Sequence, residues 1–259
     1  MVKGLYTAYT GMLNEQNRMD IMTNNLANAS TVGYKKEGST SQSFDDVLTV
    51  KIKDQSVGMR NAQKIGIKNP GVKIGENYTD YSQGSFRITG NTYDLALSGE
   101  GFFAIEFTNK AGETDTKYTR AGQFTLNKDG YLVTEEGDYV LDTQNRRIRL
   151  NTLIDSSITD DGTIYQNGQA MAKIQVTDFA DYDYLEKYGE TYYQPIQGAQ
   201  TIASNAQVES GYLEMANVQI VSEMVNLISI TRAYESNQKV VQTIDDTLDV
   251  AVNQIGRVQ

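Results

Sequence analysis

The stretch IVSEMVNLISITRAYESNQKVVQTIDDTLDVAVNQI, from Ile220 to Ile255, carries an apolar or aromatic residue at every seventh position. These residues are Ile220, Leu227, Tyr234, Val241, Leu248 and Ile255. A step of seven keeps side chains on one face of an α-helix, and the stretch contains neither proline nor glycine. With Asn217 as its N-cap, the sequence predicts an amphipathic helix about 55–60 Å long at 1.5 Å per residue.

The other end of the chain repeats this period, which predicts a second amphipathic helix. Its repeated residues are Leu5, Met12, Met19 and Leu26. Gly4 and Gly11 inside it each cost about 1 kcal/mol relative to alanine, a cost that is tolerable if another backbone must approach closely. The two helices could form the core of an ordinary bundle. Their apolar stripes, however, spread over both flanks, which favours burial against several neighbours in a multi-chain assembly.

Turn signals and short alternating runs fill the middle of the chain from Gly75 onward. The turns NKDG and EEGD predict hairpins between QFTL, YLV and YVL. YDLALSGEGFFAIEF predicts two strands about a Gly-Glu-Gly turn, and RRIRLN, GTIYQNGQA and AKIQVTDF continue the series. Ser39–Lys73 predicts extended chain with little regular structure, and the tyrosine-rich Ala180–Ile196 predicts a short helix or loop with a solvated face.

The predicted fold class is therefore α+β. Long N- and C-terminal helices pair as a coiled-coil-like unit, and a mostly antiparallel all-β domain is inserted between them. The predicted boundaries are 1–33 for the N-terminal helix, 34–74 for an extended linker, 75–207 for the β-rich domain and 208–259 for the C-terminal helix.

Composition excludes several classes of function. Histidine and cysteine are absent, which removes Ser-His and Cys-His catalysis, disulfides and thiolate metal sites. The net charge of -10 argues against a nucleic-acid or anionic-membrane partner. No apolar run reaches the roughly 18 residues of a membrane span, and the N-terminus lacks the apolar core of a cleaved secretory signal. We therefore expect no catalytic, cofactor-binding or metal-binding residues, and neither membrane insertion nor a small-molecule substrate.

The stretch NNLANASTVGYKK, Asn24–Lys36, ends the first predicted helix. Gly33 can supply the positive φ that ends or redirects the chain. Asparagine costs helix propensity, so we expect its three asparagines to bond to backbone or to a neighbouring subunit; these are Asn24, Asn25 and Asn28. Lys35 and Lys36 are predicted at the exposed start of the linker.

These residues also carry a family resemblance. NNLANASTVGYKK after an amphipathic helix resembles the N-terminal signature of the flagellar rod and hook axial proteins, and Leu213–Ile255 is similar to the C-terminal helix of the same family. The pieces TDYSQGSFRITGNTYDLALSGEGFFAIE and YTRAGQFTLNKDGYLVTEEGDYVL resemble the β-domain of the FlgF/FlgG type. The resemblance covers nearly the whole chain and fits proximal and distal rod proteins equally.

The resemblance implies a structural subunit of the bacterial flagellar basal-body rod. Such a subunit is exported through the flagellar type III apparatus without a cleaved signal, and polymerises helically with copies of itself and other axial proteins into a hollow shaft that transmits torque to the hook. The residues we predict at subunit contacts are Leu5, Met12, Met19, Asn24, Asn25, Leu26, Asn28, Gly33, Met224, Leu227, Tyr234, Asn237, Val241, Leu248 and Ile255.

Two other functions remain open from the sequence. The first is a secreted binding module whose β-domain holds carbohydrate or protein. The second is a hydrolase built on a pair of carboxylates from among those in turns, which are Asp129, Asp138, Asp160 and Asp161. A binding module has no need of two seven-period helical arms, and charged turn residues are usually solvated.

Overall fold

The computed structural model describes residues 2–51, 63–109 and 112–255. The chain divides into two compact units. The helical unit comprises Met1–Leu26, Glu37–Asp80 and Ile220–Gln259, and the β unit comprises Ala27–Lys36 and Tyr81–Gln219. The middle of the predicted linker, at 52–62, and the end of the predicted C-terminal domain, at 256–259, lie outside the described residues.

Two long helices bracket a series of short strands. In chain order the elements are α1 (Val2–Ala27), β1 (Glu37–Ser43), β2 (Val47–Lys51), β3 (Gln63–Lys68), β4 (Val72–Thr79), β5 (Phe86–Ile88), β6 (Leu95–Ser98), β7 (Phe102–Thr108), β8 (Thr114–Thr119), β9 (Phe124–Leu126), β10 (Leu132–Thr134), β11 (Tyr139–Val140), β12 (Ser156–Ile158), β13 (Thr163–Gln166), β14 (Gln169–Lys173), β15 (Val176–Phe179), β16 (Leu185–Tyr188), β17 (Tyr192–Pro195), β18 (Thr201–Ala203), β19 (Gln207–Ser210), β20 (Tyr212–Glu214) and α2 (Ile220–Val250).

In the helical unit, α1 and α2 run antiparallel along each other. A Cβ built on Gly4 would lie 3.6 Å from Ile244 Cδ1, and one on Gly11 would lie 3.0 Å from Asn237 Nδ2. Residues later in α1 thus face residues earlier in α2. In both facing pairs the two residue numbers sum to 248. The expected close approach exists, but side chains rather than a backbone occupy the space beside the glycines.

The expectation of little regular structure over Ser39–Lys73 is wrong for the described residues of this segment, because strands β1 to β4 occupy most of them. Strand β1 pairs antiparallel with β4, and β2 pairs antiparallel with β3. The β1–β4 pair and the residues next to it form a ribbon that contacts α1. Ser41 donates a hydrogen bond to Asn14 at 3.0 Å, and Thr7 donates to the carbonyl of Pro70 at 3.2 Å. The weak alternation that hid these strands follows from their exposure, since most of β1 and β4 faces solvent.

The β unit is built around an antiparallel sheet in which nine strands are hydrogen-bonded, with β7 at its centre between β8, β11 and β15. Two apolar clusters hold it together. The first surrounds Leu95, Phe103 and Phe124, and the second surrounds Phe102 and Tyr193. The predicted hairpins β9–β10–β11 are confirmed with their NKDG and EEGD turns.

Other local predictions in the β unit had mixed outcomes. The two strands predicted about the Gly-Glu-Gly turn are confirmed as β6 and β7, although β6 pairs with β19 near the end of the unit. The run RRIRLN makes only isolated bridges at Arg147 and Arg149. The tyrosine-rich segment is a 3-10 turn, Tyr182–Tyr184, followed by the hairpin β16–β17. The acidic side chains of the segment are exposed, in agreement with the predicted solvated face; they are Asp181, Asp183, Glu186 and Glu190. The hairpin was not predicted, and its adjacent residues Tyr192 and Tyr193 are buried.

The last helix is shorter than predicted. It begins at Ile220 and reaches Val250, about 46 Å at 1.5 Å per residue, and a π-helical turn, Ala251–Ile255, follows it. Asn217 is not its N-cap, because the Asn217 side chain instead accepts a hydrogen bond from the Lys36 N–H at 2.7 Å. Among the described residues, neither helix combines the length and apolar character that a membrane crossing requires.

Candidate subunit interface

One face of α2 is less exposed than the rest of the helix. Its buried and half-buried residues include a series with alternating steps of four and three: Glu223, Leu227, Ile230, Tyr234, Asn237, Val241, Ile244 and Leu248. We call this series the inner seam, because Asn237 and Ile244 face α1. Of the residues predicted at contacts, Met224 lies outside the seam and is 49 % exposed, and Ile255 ends the last described turn.

The apolar contact residues predicted on α1 are half-buried; they are Leu5, Met12, Met19 and Leu26. Fully buried residues of α1 alternate with them, including Ala8 and Ile21. The first helix therefore packs along more than one side, which agrees with its contacts to both the ribbon and α2.

Both helices also carry large apolar side chains that solvent reaches. On α1 these are Tyr6, Tyr9 and Leu13, with exposed fractions of 62 %, 53 % and 43 %. On α2 they include Val221, Met224, Val225 and Ile228, with exposed fractions between 49 % and 77 %. On α1 the sequence reading missed Tyr6 and Leu13, although steps of three and four join them to Tyr9 and were a usable signal.

The asparagines at the end of α1 have different surroundings. Asn25 is fully buried and binds one residue of the chain twice: its amide donates to the Glu37 carbonyl at 2.7 Å, and its Oδ1 accepts from the Glu37 N–H at 2.9 Å. Asn25 thereby supplies the hydrogen bonds of a strand neighbour at the start of β1. Asn24, one residue earlier, is exposed.

The second half of the signature forms a tight turn inside the β unit. Buried Asn28 accepts hydrogen bonds from the Thr31 N–H and hydroxyl at 3.1 and 3.2 Å. Gly33 has a φ of 69° and donates its N–H to the Glu214 carbonyl at 2.8 Å. A Cβ at Gly33 would overlap the backbone of Ala121, so glycine is required both by conformation and by space.

The prediction that Lys35 is exposed was wrong. Its side chain is 1 % exposed, and its Nζ donates to Glu214 Oε1 at 2.7 Å and to the Ser82 carbonyl at 2.8 Å. Glu214 is also buried; its Oε2 lies 3.4 Å from Arg120, and its Oε1 accepts from the Gly84 N–H at 2.9 Å. This buried network joins the N-terminal signature to β20. No local signal could reveal a pair separated by 179 positions.

The perturbed pKa values in the β unit have structural causes. Burial raises the pKa of Tyr192 well above its ordinary value, and the hydrogen bond to Asp138 at 2.9 Å acts in the same direction. Burial likewise raises the pKa of Tyr182. The hydrogen bonds from Arg147 lower the pKa of Glu106.

Within the described ranges, no three acidic side chains come together in a way that could hold a metal ion.

Three family models match successive parts of the chain. A model described as a flagella basal body rod protein matches residues 5–35, and a flagellar hook protein FlgE/F/G D1 domain matches residues 96–168. A flagellar basal body rod FlgEFG protein C-terminal domain matches residues 209–255. The matched parts contain the N-terminal signature up to Lys35, the centre of the β unit and the inner seam.

Curated relatives match over almost their whole length. The flagellar basal-body rod protein FlgG of Bacillus subtilis is 34 % identical over 98 % of this chain and 99 % of its own length. FlgF of Caulobacter vibrioides and the hook-basal body complex protein FlhO of Bacillus subtilis are each 30 % identical over the full length of both chains. These matches give no support to a secreted binding module. The chain belongs to the flagellar basal-body rod protein family and is a structural subunit of that rod.

Proposed function

We propose that this subunit polymerises helically into the hollow shaft that transmits torque from the motor to the hook. The exposed apolar faces of α1 and α2 are the observation that carries this proposal. Contiguous apolar surface of this kind marks interaction sites in soluble proteins. Contacts that repeat without closing into a ring generate an open filament, so identical copies burying these faces would extend into a shaft.

The two helices pair in this proposal as a coiled-coil-like unit. The alternating steps of four and three along the inner seam support that pairing, because they are the spacing of a heptad seam. The predicted contact residues on the seam, such as Leu227 and Val241, then hold the pair and remain accessible at its edges to adjoining copies. Exposed Asn24 and Met224 contact neighbours directly.

The partners in this proposal are copies of the chain and other flagellar rod and hook axial proteins, with the flagellar type III apparatus as the export route. The role is mechanical, without catalysis, small-molecule substrate, nucleic acid or membrane insertion. The position in the rod is proximal or distal, since relatives of the FlgF and FlgG type match over similar lengths.

The test replaces a seam residue with a charge. Leu227→Glu, expressed in cells that lack the wild-type gene, should abolish rod assembly and motility while near-ultraviolet circular dichroism of the purified chain keeps the β-unit signal. Burial is worth about 1.5–3 kcal/mol for such a side chain, and the loss recurs in every subunit. Gln238→Glu, at an exposed position of the same helix, should stay motile. A motile Leu227→Glu strain would contradict the proposal.

A further inference from the structure

The outer side of α1 carries a short apolar stripe. Tyr6 and Leu13 each lie two residues after a glycine that faces α2, and Tyr9 lies two residues before Gly11. At about 100° per residue, all three side chains leave the helix roughly opposite to α2. The stripe continues at Gln16, Asp20 and Thr23, so only its first two turns are apolar.

The outer side of α2 carries a second short apolar stripe. Val221 and Val225 flank the inner-seam residue Glu223, and Ile228 lies two residues before the inner-seam residue Ile230. By the same geometry these three side chains point away from α1. Beyond them the stripe becomes charged at Arg232, Glu235 and Lys239. Because each stripe occupies the start of its helix and the helices are antiparallel, the stripes lie at opposite ends and on opposite sides of the pair.

The spacings of the two stripes mirror each other. The α1 stripe steps by three and then four, and the α2 stripe steps by four and then three. When two helices run antiparallel, such stripes interlock residue by residue. The three resulting pairs, each with the same sum of residue numbers, are Tyr6 with Ile228, Tyr9 with Val225 and Leu13 with Val221.

We propose that the α1 stripe of one copy packs against the α2 stripe of the next copy through these three pairs. The inference rests on the proposed assembly of the rod and specifies its contact. Because the stripes face opposite directions, a single repeated displacement brings them together, and neither stripe is left uncovered except at the ends of the array. A two-fold pair would instead bring like stripes together, which gives Tyr9 against Tyr9.

The geometry also gives the axial stagger between the copies. Within one chain, the residue numbers of two facing positions, such as Gly11 and Asn237, add up to 248. In the proposed contacts between copies, the two residue numbers add up to 234. The difference of 14 residues is two heptads, or about 21 Å at 1.5 Å per residue. Two unstaggered copies would place Val225 level with Thr23 rather than Tyr9.

Cysteine cross-linking tests this register, because the chain has no cysteine of its own. Cells co-express two singly substituted full-length chains, and isolated basal bodies are treated with a mild oxidant. The combination of Tyr9→Cys with Val225→Cys should form a mixed disulfide dimer, whereas either variant alone should not. The combination of Thr23→Cys with Val225→Cys is the matched control and should give at least a tenfold lower yield.

Each outcome is decisive. Preferred cross-linking of Thr23→Cys, or a homodimer of Tyr9→Cys, overturns the stagger and the pairing. Should Tyr9→Cys fail to assemble, Leu13→Cys with Val221→Cys tests the same register with the same expectation. Absence of these mixed disulfides from rods that assemble normally overturns the inference but leaves the proposed function standing. An unmodified chain that never enters the rod would instead overturn the proposed function itself.

Discussion

Replacing Glu214 with glutamine should strongly destabilise the β unit. The Glu214 carboxylate is fully buried and accepts from Lys35 at 2.7 Å, from the Gly84 N–H at 2.9 Å and from Arg120 at 3.4 Å. Glutamine keeps the size but removes the charge, so two buried cations lose their counter-ion. Removing one partner of a buried ion pair costs about 3–5 kcal/mol, which corresponds to roughly a thousandfold change in the folding equilibrium.

The measurement is urea unfolding followed by near-ultraviolet circular dichroism, which reports the packed tyrosines of the chain. With a urea slope of about 1–3 kcal/mol per molar for a small protein, a loss of about 4 kcal/mol lowers the midpoint by more than about 1 M. The matched control is Glu106→Gln. Glu106 accepts from Arg147 at 2.6 and 3.0 Å, but both side chains are partly exposed, so this variant should lose at most about 1 kcal/mol.

Comparing the two variants tests whether burial strengthens the ion pairs of Glu214. Equal midpoints for Glu214→Gln and Glu106→Gln, with unchanged slopes, would show that burial does not strengthen the network. The electrostatic account would also fail if Lys35→Met, which removes one of the two cations, were more damaging than Glu214→Gln. The expected order is wild type, then Glu106→Gln, then Lys35→Met, then Glu214→Gln.

Three further predictions use the same assay. Gly33→Ala should lose more stability than Gly168→Ala. Both glycines have a positive φ near 70–75°, which costs alanine about 1–2 kcal/mol, but only at Gly33 would the added Cβ also overlap backbone atoms. Equal losses would contradict this. Gly4→Ala should gain about 1 kcal/mol of helix propensity, whereas Gly11→Ala should gain less because its Cβ has only 3.0 Å of space; a larger gain at Gly11 would refute the packing. The raised pKa of Tyr192 stabilises the fold fully at pH values below the pKa of an unfolded tyrosine, near 10, and this contribution falls as the pH rises above that value. Tyr192→Phe should therefore reduce the loss of stability at alkaline pH. An unchanged dependence of stability on pH would count against burial of that phenol.

The sequence predicted what local patterns control. The seven-residue step found both helices, and the NKDG and EEGD turns found the β9–β10–β11 hairpins, because helix period and turn chemistry act over a few residues. Pairings between distant segments left no such trace. Strand β6 pairs with β19, and Lys35 pairs with Glu214, although the segments involved lie far apart in the chain. In Ala180–Ile196 the acidic residues correctly predicted a solvated face, but the hairpin β16–β17 was missed, because its adjacent buried residues Tyr192 and Tyr193 break the alternation expected of a strand.

The period of seven finds a helix but does not distinguish its inward from its outward side. Leu227 and Ile228 are adjacent and both apolar, yet Leu227 belongs to the inner seam and Ile228 is 52 % exposed. What separates the two sides is how far each remains apolar. Apart from Glu223 and Asn237, the inner seam keeps large apolar or aromatic residues as far as Leu248, as a pair of full-length helices requires. The outer side is apolar only to Ile228 and then charged, as expected of a surface that meets its neighbour over two turns and solvent along the rest. A short apolar stripe on an otherwise charged side therefore indicates a staggered contact, and its length limits the overlap.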